Sequence, residues 1–272
     1  MDAGRGKGAV SGSLADPVAA SGERFVDGRD MGRELFLQHA GRYLFADSYV
    51  SGKVVLDVAC GSGFGSEMLA RKAKEVTGVD ISPEAVRYCQ EHYQKANLRF
   101  KRMDCYALEF PDSSYDVVVS FETIEHLRDQ TVFLGEIKRV LKPGGFLILS
   151  TPNRENFAIY AKGRKNPFHV KELDKNELVR LLSSFVELEE VLGQRYFSEK
   201  DRPLLAEYSH APIPCGVDSI SQRLVRVGLR TLFPEKVLSG WFLRLEVWAN
   251  KCRVGDIVPD KAVYLVAVGR KS

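Results

Sequence analysis

An α/β fold of the Rossmann type, a mostly parallel seven-stranded sheet with helices on both faces, is what this 272-residue sequence predicts. Three observations predict it. The β-branched run Val54-Val55-Leu56 ends in Asp57 and opens into alternating glycines, Gly61, Gly63 and Gly65. A second apolar run, Glu75-Val76-Thr77-Gly78-Val79, closes on Asp80 about twenty residues later, the layout of a nucleotide-binding βαβ unit. Strand-like and helix-like segments then alternate along the chain, which implies parallel strands covered on both sides.

Each element has a local reason. Residues 1–24, rich in Gly, Ala and Ser, read as a disordered tail. The main domain is expected over 25–198 and 259–272. Its N-terminal part, 28–50, carries Leu35, Phe36, Ala40, Tyr43, Leu44 and Phe45 at the spacing of one or two amphipathic helices. Then follow strand 53–58, helix 64–73, strand 75–80, helix 83–96, strand 98–103, strand 115–121, helix 130–141 and strand 145–150. Ser82-Pro83 supplies a cap and a first-turn proline. Pro143-Gly144-Gly145 stops the later helix and turns it into a strand. Asp174–Ser184 reads as a helix, 185–196 as a strand and Ala262–Val268 as a buried final strand. Residues 199–258 are a helical insertion before it, mixing Leu224, Leu232, Trp241 and Trp248 with Arg223, Arg226, Arg230 and Arg244. A lid or an oligomer contact, compatible with a homodimer, is expected. Packing on the main domain outweighs a basic amphipathic face for peripheral membrane contact.

Composition narrows the function classes. The net charge of +3 is too slight to argue for nucleic acid. No apolar run reaches membrane-spanning length, and the N-terminus lacks a signal-peptide core. The five cysteines, Cys60, Cys89, Cys105, Cys215 and Cys252, show no C-x-x-C pairing, so reduced thiols and a cytoplasmic location are expected.

The glycine spacing selects a cofactor class. Dinucleotide enzymes usually show G-x-G-x-x-G; this chain shows Gly61-x-Gly63-x-Gly65 after Asp57, and an acid there suits a cationic, amino-acid-bearing cofactor. Further along come Arg102-Met103-Asp104-Cys105, Phe110-Pro111-Asp112-Ser113-Ser114-Tyr115-Asp116-Val117-Val118 and Arg139-Val140-Leu141-Lys142-Pro143-Gly144-Gly145. With these motifs the chain resembles the class I S-adenosylmethionine-dependent methyltransferases over roughly residues 50–200 and the last strand. The resemblance implies S-adenosyl-L-methionine as cofactor. Asp57 and the backbone of Gly61 and Gly63 would meet its methionine end, and Asp80 its ribose. Ile81 would lie beside the adenine, whose amino group Asp104 and the Cys105 backbone would read. Phe121, closing the fourth strand, joins this set, and Cys60 and Cys105 serve as small apolar groups, not nucleophiles.

Chemistry is expected where the fourth strand ends, because open α/β sheets bind ligands beyond the carboxyl ends of their strands. The segment there is Phe121-Glu122-Thr123-Ile124-Glu125-His126-Leu127. On a helical turn Glu122, Glu125 and His126 share one face. With His169 from Asn166-Pro167-Phe168-His169, they would make a mixed carboxylate–imidazole site for Mg²⁺ or Mn²⁺. This combination resembles both the small-RNA 3′-terminal ribose methyltransferases and the ubiquinone-pathway O-methyltransferases. The overall wording, including Glu23-Arg24 and Arg42-Tyr43-Leu44-Phe45-Ala46, is closest to bacterial methyltransferases of surface-glycan and natural-product sugar pathways.

The expected activity is O-methylation of a small hydroxylated acceptor, a sugar or glycan unit first. Glu122, His126 and His169 are the candidate catalytic residues. Without metal, His126 or His169 serves as a general base; structural roles for both histidines are the plain alternatives. The other readings are a catechol or quinol O-methyltransferase, an RNA 3′-terminal ribose 2′-O-methyltransferase, and a cofactor-binding protein without transferase activity. RNA is disfavoured by the absence of an aromatic-basic platform. Lys162, Arg164 and Lys165 read as a solvated basic loop before a phosphate site.

Overall fold

The computed structural model describes residues 33–160, 166–194 and 262–272. The expected tail 1–24, the insertion 199–258 and the basic loop of Lys162, Arg164 and Lys165 lie outside the described residues. Short apolar runs build the centre: β1 (Val54–Val58), β2 (Glu75–Asp80), β3 (Leu98–Arg102), β4 (Tyr115–Phe121), β5 (Leu141–Pro152), β6 (Glu187–Gln194) and β7 (Tyr264–Arg270). They form one sheet in the order β3-β2-β1-β4-β5-β7-β6. The first five strands run parallel, and β7 is antiparallel to both β5 and β6. This is the expected mostly parallel, seven-stranded architecture.

Strands covered on both faces read as continuous apolar runs, because successive side chains enter opposite cores. Val55, Val76, Val117, Val119, Ile148 and Val268 enter one core with Leu69 and Phe100. Their neighbours Leu56, Val79, Val118, Leu147, Leu149 and Ala267 enter the other with Ile137 and Leu178. The described helices are α1 (Arg33–Val50), α2 (Phe64–Leu69), α3 (Pro83–His92), α4 (Gln130–Val140), α5 (Arg154–Tyr160) and α6 (Lys175–Leu182). None is long and apolar enough to cross a membrane.

Caps set the helix starts. Ser82 Oγ accepts the Ala85 N–H with Pro83 at the first position, as expected. Asp129 accepts the N–H groups of Thr131 and Val132, and Asp174 with Glu177 makes a reciprocal capping box. Residues 28–50, read as one or two helices, hold one described helix, α1. Several ends differ from the sequence reading, and α2 stops at Leu69, not 73. The third helix stops at His92, not 96, because Tyr93 turns extended and lays its ring 6.0 Å from Phe100. Strand β5 begins at Leu141, directly after α4, and runs through Pro143-Gly144-Gly145; Leu141 pairs with Tyr115 before the register shifts.

Helix α1 docks through Ala40, Tyr43, Ala46 and Val50, all buried. The Tyr43 ring meets Phe64 at 5.5 Å and Phe121 at 4.9 Å, edge to face. It lies over Gly65 so closely that a Cβ there would stand 1.9 Å from the ring. Gly65→Ala is therefore expected to lower stability by about 1–3 kcal/mol, the cost of overpacking a filled core. A urea midpoint unchanged from wild type would show that α1 can shift freely on α2.

Candidate cofactor and active site

The β1–α2 loop is the first part of the site. Ala59, Gly61 and Gly63 all have positive φ, at 59°, 54° and 77°. A Cβ at Gly63 would lie 2.6 Å from Cys89 Sγ, so only glycine fits there, whereas at Gly61 it would meet nothing within 4 Å. The loop is thus packed from below and open at Gly61. Beneath it the Asp57 carboxylate is fully buried, accepting the Ser66 hydroxyl at 2.6 Å and the Tyr43 hydroxyl at 3.3 Å. Sequence reasoning placed Asp57 against the methionine end of the cofactor; here its oxygens face Ser66 and Tyr43. The roles of those two residues carried no motif that would have revealed them.

Asp80 ends β2 beside this loop. Its carboxylate accepts the Gly61 N–H at 3.0 Å and the Ser82 N–H at 2.9 Å, which joins the glycine loop to the start of α3. Ile81 next to it is 52% exposed, an apolar surface a flat ring system can cover. Asp104 follows β3, exposed, and its Oδ1 accepts the Tyr106 N–H at 2.9 Å. Burial, then the nearby Asp104, pushes the Cys105 thiol up to about 12. The Cys60 thiol is also raised, first by its hydrogen bond with Cys89 and then by burial. Both shifts favour the protonated thiol at neutral pH.

The second part lies at the ends of β4 and β5, and corrects the sequence reading. Glu122 sits at φ 53°, a left-handed conformation uncommon outside glycine, and only Ile124–His126 form a turn of 3₁₀ helix. Glu122, Glu125 and His126 therefore do not share one helical face. Glu122 accepts the Ser150 hydroxyl at 2.7 Å and lies 3.8 Å from Arg42 Nη2. Glu125 turns inward, buried, and accepts the Thr151 hydroxyl at 3.1 Å. Burial, reinforced by neighbouring Glu122, lifts its carboxyl well above the usual range. Ser150 pairs with Phe121 in the sheet register, so strand pairing brings these hydroxyls to the two carboxylates.

The structure does bring His169 to this place. Its ring stands edge to face against His126, centroids 4.8 Å apart. The Val170 and Lys171 N–H groups both donate to the Glu125 carbonyl, which fixes the loop. His126 Nδ1 lies 3.1 Å from the Phe168 carbonyl and His169 Nδ1 2.5 Å from Glu172. Both partners accept, which assigns a proton to each Nδ1. Ligand atoms of Glu125, His126 and His169 lie within 4.8 Å of one another, and the buried Glu125 Oε1 has no hydrogen-bond partner. An orphaned carboxylate oxygen between two imidazoles fits a divalent ion. Among the described residues the metal-competent set is these three; Glu122, expected as a fourth ligand, stands outside it.

Comparison with known proteins gives the family. Residues 56–149 match the family described as a methyltransferase domain. A Mycolicibacterium smegmatis protein described as an S-adenosylmethionine-dependent methyltransferase is 36% identical over 182 residues, 66% of this chain and 70% of the relative. A Mycobacterium tuberculosis counterpart is 36% identical, and the match spans 65% of its length. A ubiquinone biosynthesis O-methyltransferase of Xanthomonas oryzae pv. oryzae is 32% identical over 212 residues, 71% of this chain and 88% of the relative. Among solved structures, a chain from the complex of the Haloferax volcanii Trm112 methyltransferase activator with a methyltransferase has a TM-score of 0.61 at 21% identity. It covers 95% of this chain and 99% of that one, a likeness of fold.

Burial raises the Asp57 carboxyl to about 7, against the hydrogen bonds from Ser66 and Tyr43 that lower it. An unfolded aspartate ionises near 3.9, so folding takes up a proton between about pH 4 and pH 7. The associated stability is complete below about pH 4 and is lost as pH rises to about 7. Asp57→Asn is expected to flatten part of that decline in urea midpoints, with Glu125 supplying the rest. An unchanged slope would mean that Asp57 is ionised in the folded protein throughout.

Proposed function

The chain belongs to the class I S-adenosylmethionine-dependent methyltransferases, and from that premise we propose an O-methyltransferase acting on a hydroxyl of a small acceptor, a sugar or glycan unit first. The observation that carries this reading is the meeting of the His126 and His169 imidazoles beside the buried Glu125. A hydroxyl must lose its proton to become a competent nucleophile, and such a site supplies the base. The sugar preference rests on the resemblance of the overall wording, including Glu23-Arg24 and the Arg42–Ala46 segment, to glycan-pathway methyltransferases. A catechol or quinol ring is the second reading, favoured by the similarity to the Xanthomonas ubiquinone biosynthesis O-methyltransferase.

When bound, the cofactor supplies an electrophilic methyl group on a sulfonium. Gly61 leaves room for it, Asp80 holds the ribose hydroxyls, and Ile81 and Asp104 flank the adenine. Asp57 acts from below, bracing the loop through Ser66 and Tyr43. Without metal, a ring nitrogen of His126 accepts the acceptor proton, and His169, oriented by Glu172, positions the same oxygen. Phe168 and Val170, 43% and 55% exposed, give the centre an apolar rim. Glu125, His126 and His169 would hold a Mg²⁺ or Mn²⁺ ion, which lowers the pKa of a coordinated hydroxyl.

Two measurements test these readings. Labelled S-adenosylmethionine should transfer methyl to methyl pyranosides in preference to catechol, and His126→Ala should slow transfer by about 10²–10⁴-fold, the usual weight of a general base. Transfer to catechol alone would move the acceptor class to the second reading. Mn²⁺ titrated into the S-adenosylhomocysteine-bound protein, followed by EPR, should bind saturably and weaken at least about tenfold in Glu125→Ala and His169→Ala but not in Glu122→Ala. No saturable binding would leave the imidazoles as metal-free bases.

A further inference from the structure

The two histidines are carried by segments with little regular structure, His126 by the 3₁₀ turn Ile124–His126 and His169 by the loop that precedes Leu173. A seam of backbone hydrogen bonds joins these segments, and one side chain closes it. The Glu125 carbonyl accepts the Val170 and Lys171 N–H groups at 2.8 and 3.0 Å. Gln130, buried at the start of α4, donates through Nε2 to the Ile124 carbonyl at 2.9 Å and to the Lys171 carbonyl at 3.1 Å. Both carbonyls only accept, so the nitrogen end of the amide is the end that faces them. The helix start is held in turn by the Asp129 cap, whose side chain accepts the Thr131 and Val132 N–H groups. One amide therefore ties the turn of His126 and the loop of His169 to the same capped helix.

The residue type matters at this place. The two hydrogens of a single amide nitrogen serve both carbonyls at once, one on each segment. Methionine would fill a similar volume and donate nothing, and asparagine, a methylene shorter, would not span the same gap. Gln130 Oε1 is buried without a hydrogen-bond partner, so the side chain bears a cost at one end while it makes two bonds at the other. Ile124 lies two residues from His126 and Lys171 two from His169, so a shift at either carbonyl passes to a ring. The rings stand 4.8 Å apart, edge to face. A displacement of about 1 Å in such a centre can slow a reaction about 10²-fold. We infer that Gln130 is a positioning residue for methyl transfer: through the backbone of Ile124 and Lys171 it sets the separation of His126 and His169. This inference rests on the reading of the two histidines as the reaction centre, and it adds what keeps that centre in register.

The test uses the full-length protein with S-adenosylhomocysteine bound and isotope-labelled histidine rings; the chain has five histidines, few enough to assign each ring. In the wild type an NOE between the ring protons of His126 and His169 is expected. Gln130→Met and Gln130→Asn should each lose it, and the Val170 and Lys171 amides should exchange with solvent about tenfold faster. S-Adenosylhomocysteine affinity should be unchanged. With labelled S-adenosylmethionine, kcat for methyl α-D-glucopyranoside or catechol should fall about 10²-fold while the KM for the cofactor stays as in the wild type. A residue that only stabilised the fold would lower the melting temperature and leave the NOE and kcat alone, which would overturn the inference. A fall in kcat with the NOE and amide exchange unchanged would overturn it too, while leaving the histidine reading intact. Loss of the NOE with kcat unchanged would overturn the positioning role and the histidine reading together.

Discussion

The rest of this structure depends on one buried carboxylate. Asp57 sits at zero exposure under the glycine loop, and Ser66 and Tyr43 converge on it from α2 and α1. Three consecutive elements, α1, β1 and α2, are thereby locked together at the end of β1. A buried carboxyl without partners would be prohibitive, and with two hydroxyl donors it becomes a tie point. The contact also sets the height of the loop above it, so Gly61 opens upward while Gly63 and Gly65 are filled from beneath by Cys89, Phe100 and Tyr43.

From that anchor, strain and register place the chemistry. Ala59 and Glu122, both in left-handed conformations, terminate adjacent strands at the same edge of the sheet. Such backbone is unfavourable for residues with a Cβ and persists where surrounding contacts over-determine it. At Glu122 the contacts are the Ser150 hydroxyl and the nearby Arg42. The result separates two carboxylates only three residues apart: Glu122 turns toward α1, and Glu125 toward the imidazoles. One short strained step thus sends one carboxylate toward Arg42 and the other toward the two histidines.

The histidine centre shows how much a loop contributes when its backbone is tied down. The Asn166–Glu172 segment has little secondary structure of its own. Its N–H groups at Val170 and Lys171 grip the Glu125 carbonyl, and its Phe168 carbonyl faces His126. These contacts bring His169 beside His126 and let Glu172 choose its tautomer. Positioning by main-chain hydrogen bonds is less costly in side-chain entropy than positioning by long side chains, and it suits a site whose parts must stay aligned.

Sequence alone determined the sheet, the order of its elements, the glycine loop with Asp57 and Asp80, and the family, because these features are local. A strand, a cap or a left-handed glycine is specified by a handful of consecutive residues. The candidate centre was half legible: Glu125, His126 and His169 came together, while Glu122 did not. A single φ reversal moved Glu122, and nothing in the string Phe121–Leu127 announces it. The start of β5 at Leu141 was likewise decided by pairing with Tyr115. Only the tertiary structure revealed that Gln38 and Arg42 are buried with unpaired atoms, since polar residues on a helix read as solvent-facing until a sheet is packed against them. Burial and hydrogen-bond satisfaction are properties of what surrounds a residue, and its surroundings are assembled from segments more than a hundred residues apart, as Arg42 and Gln194 are.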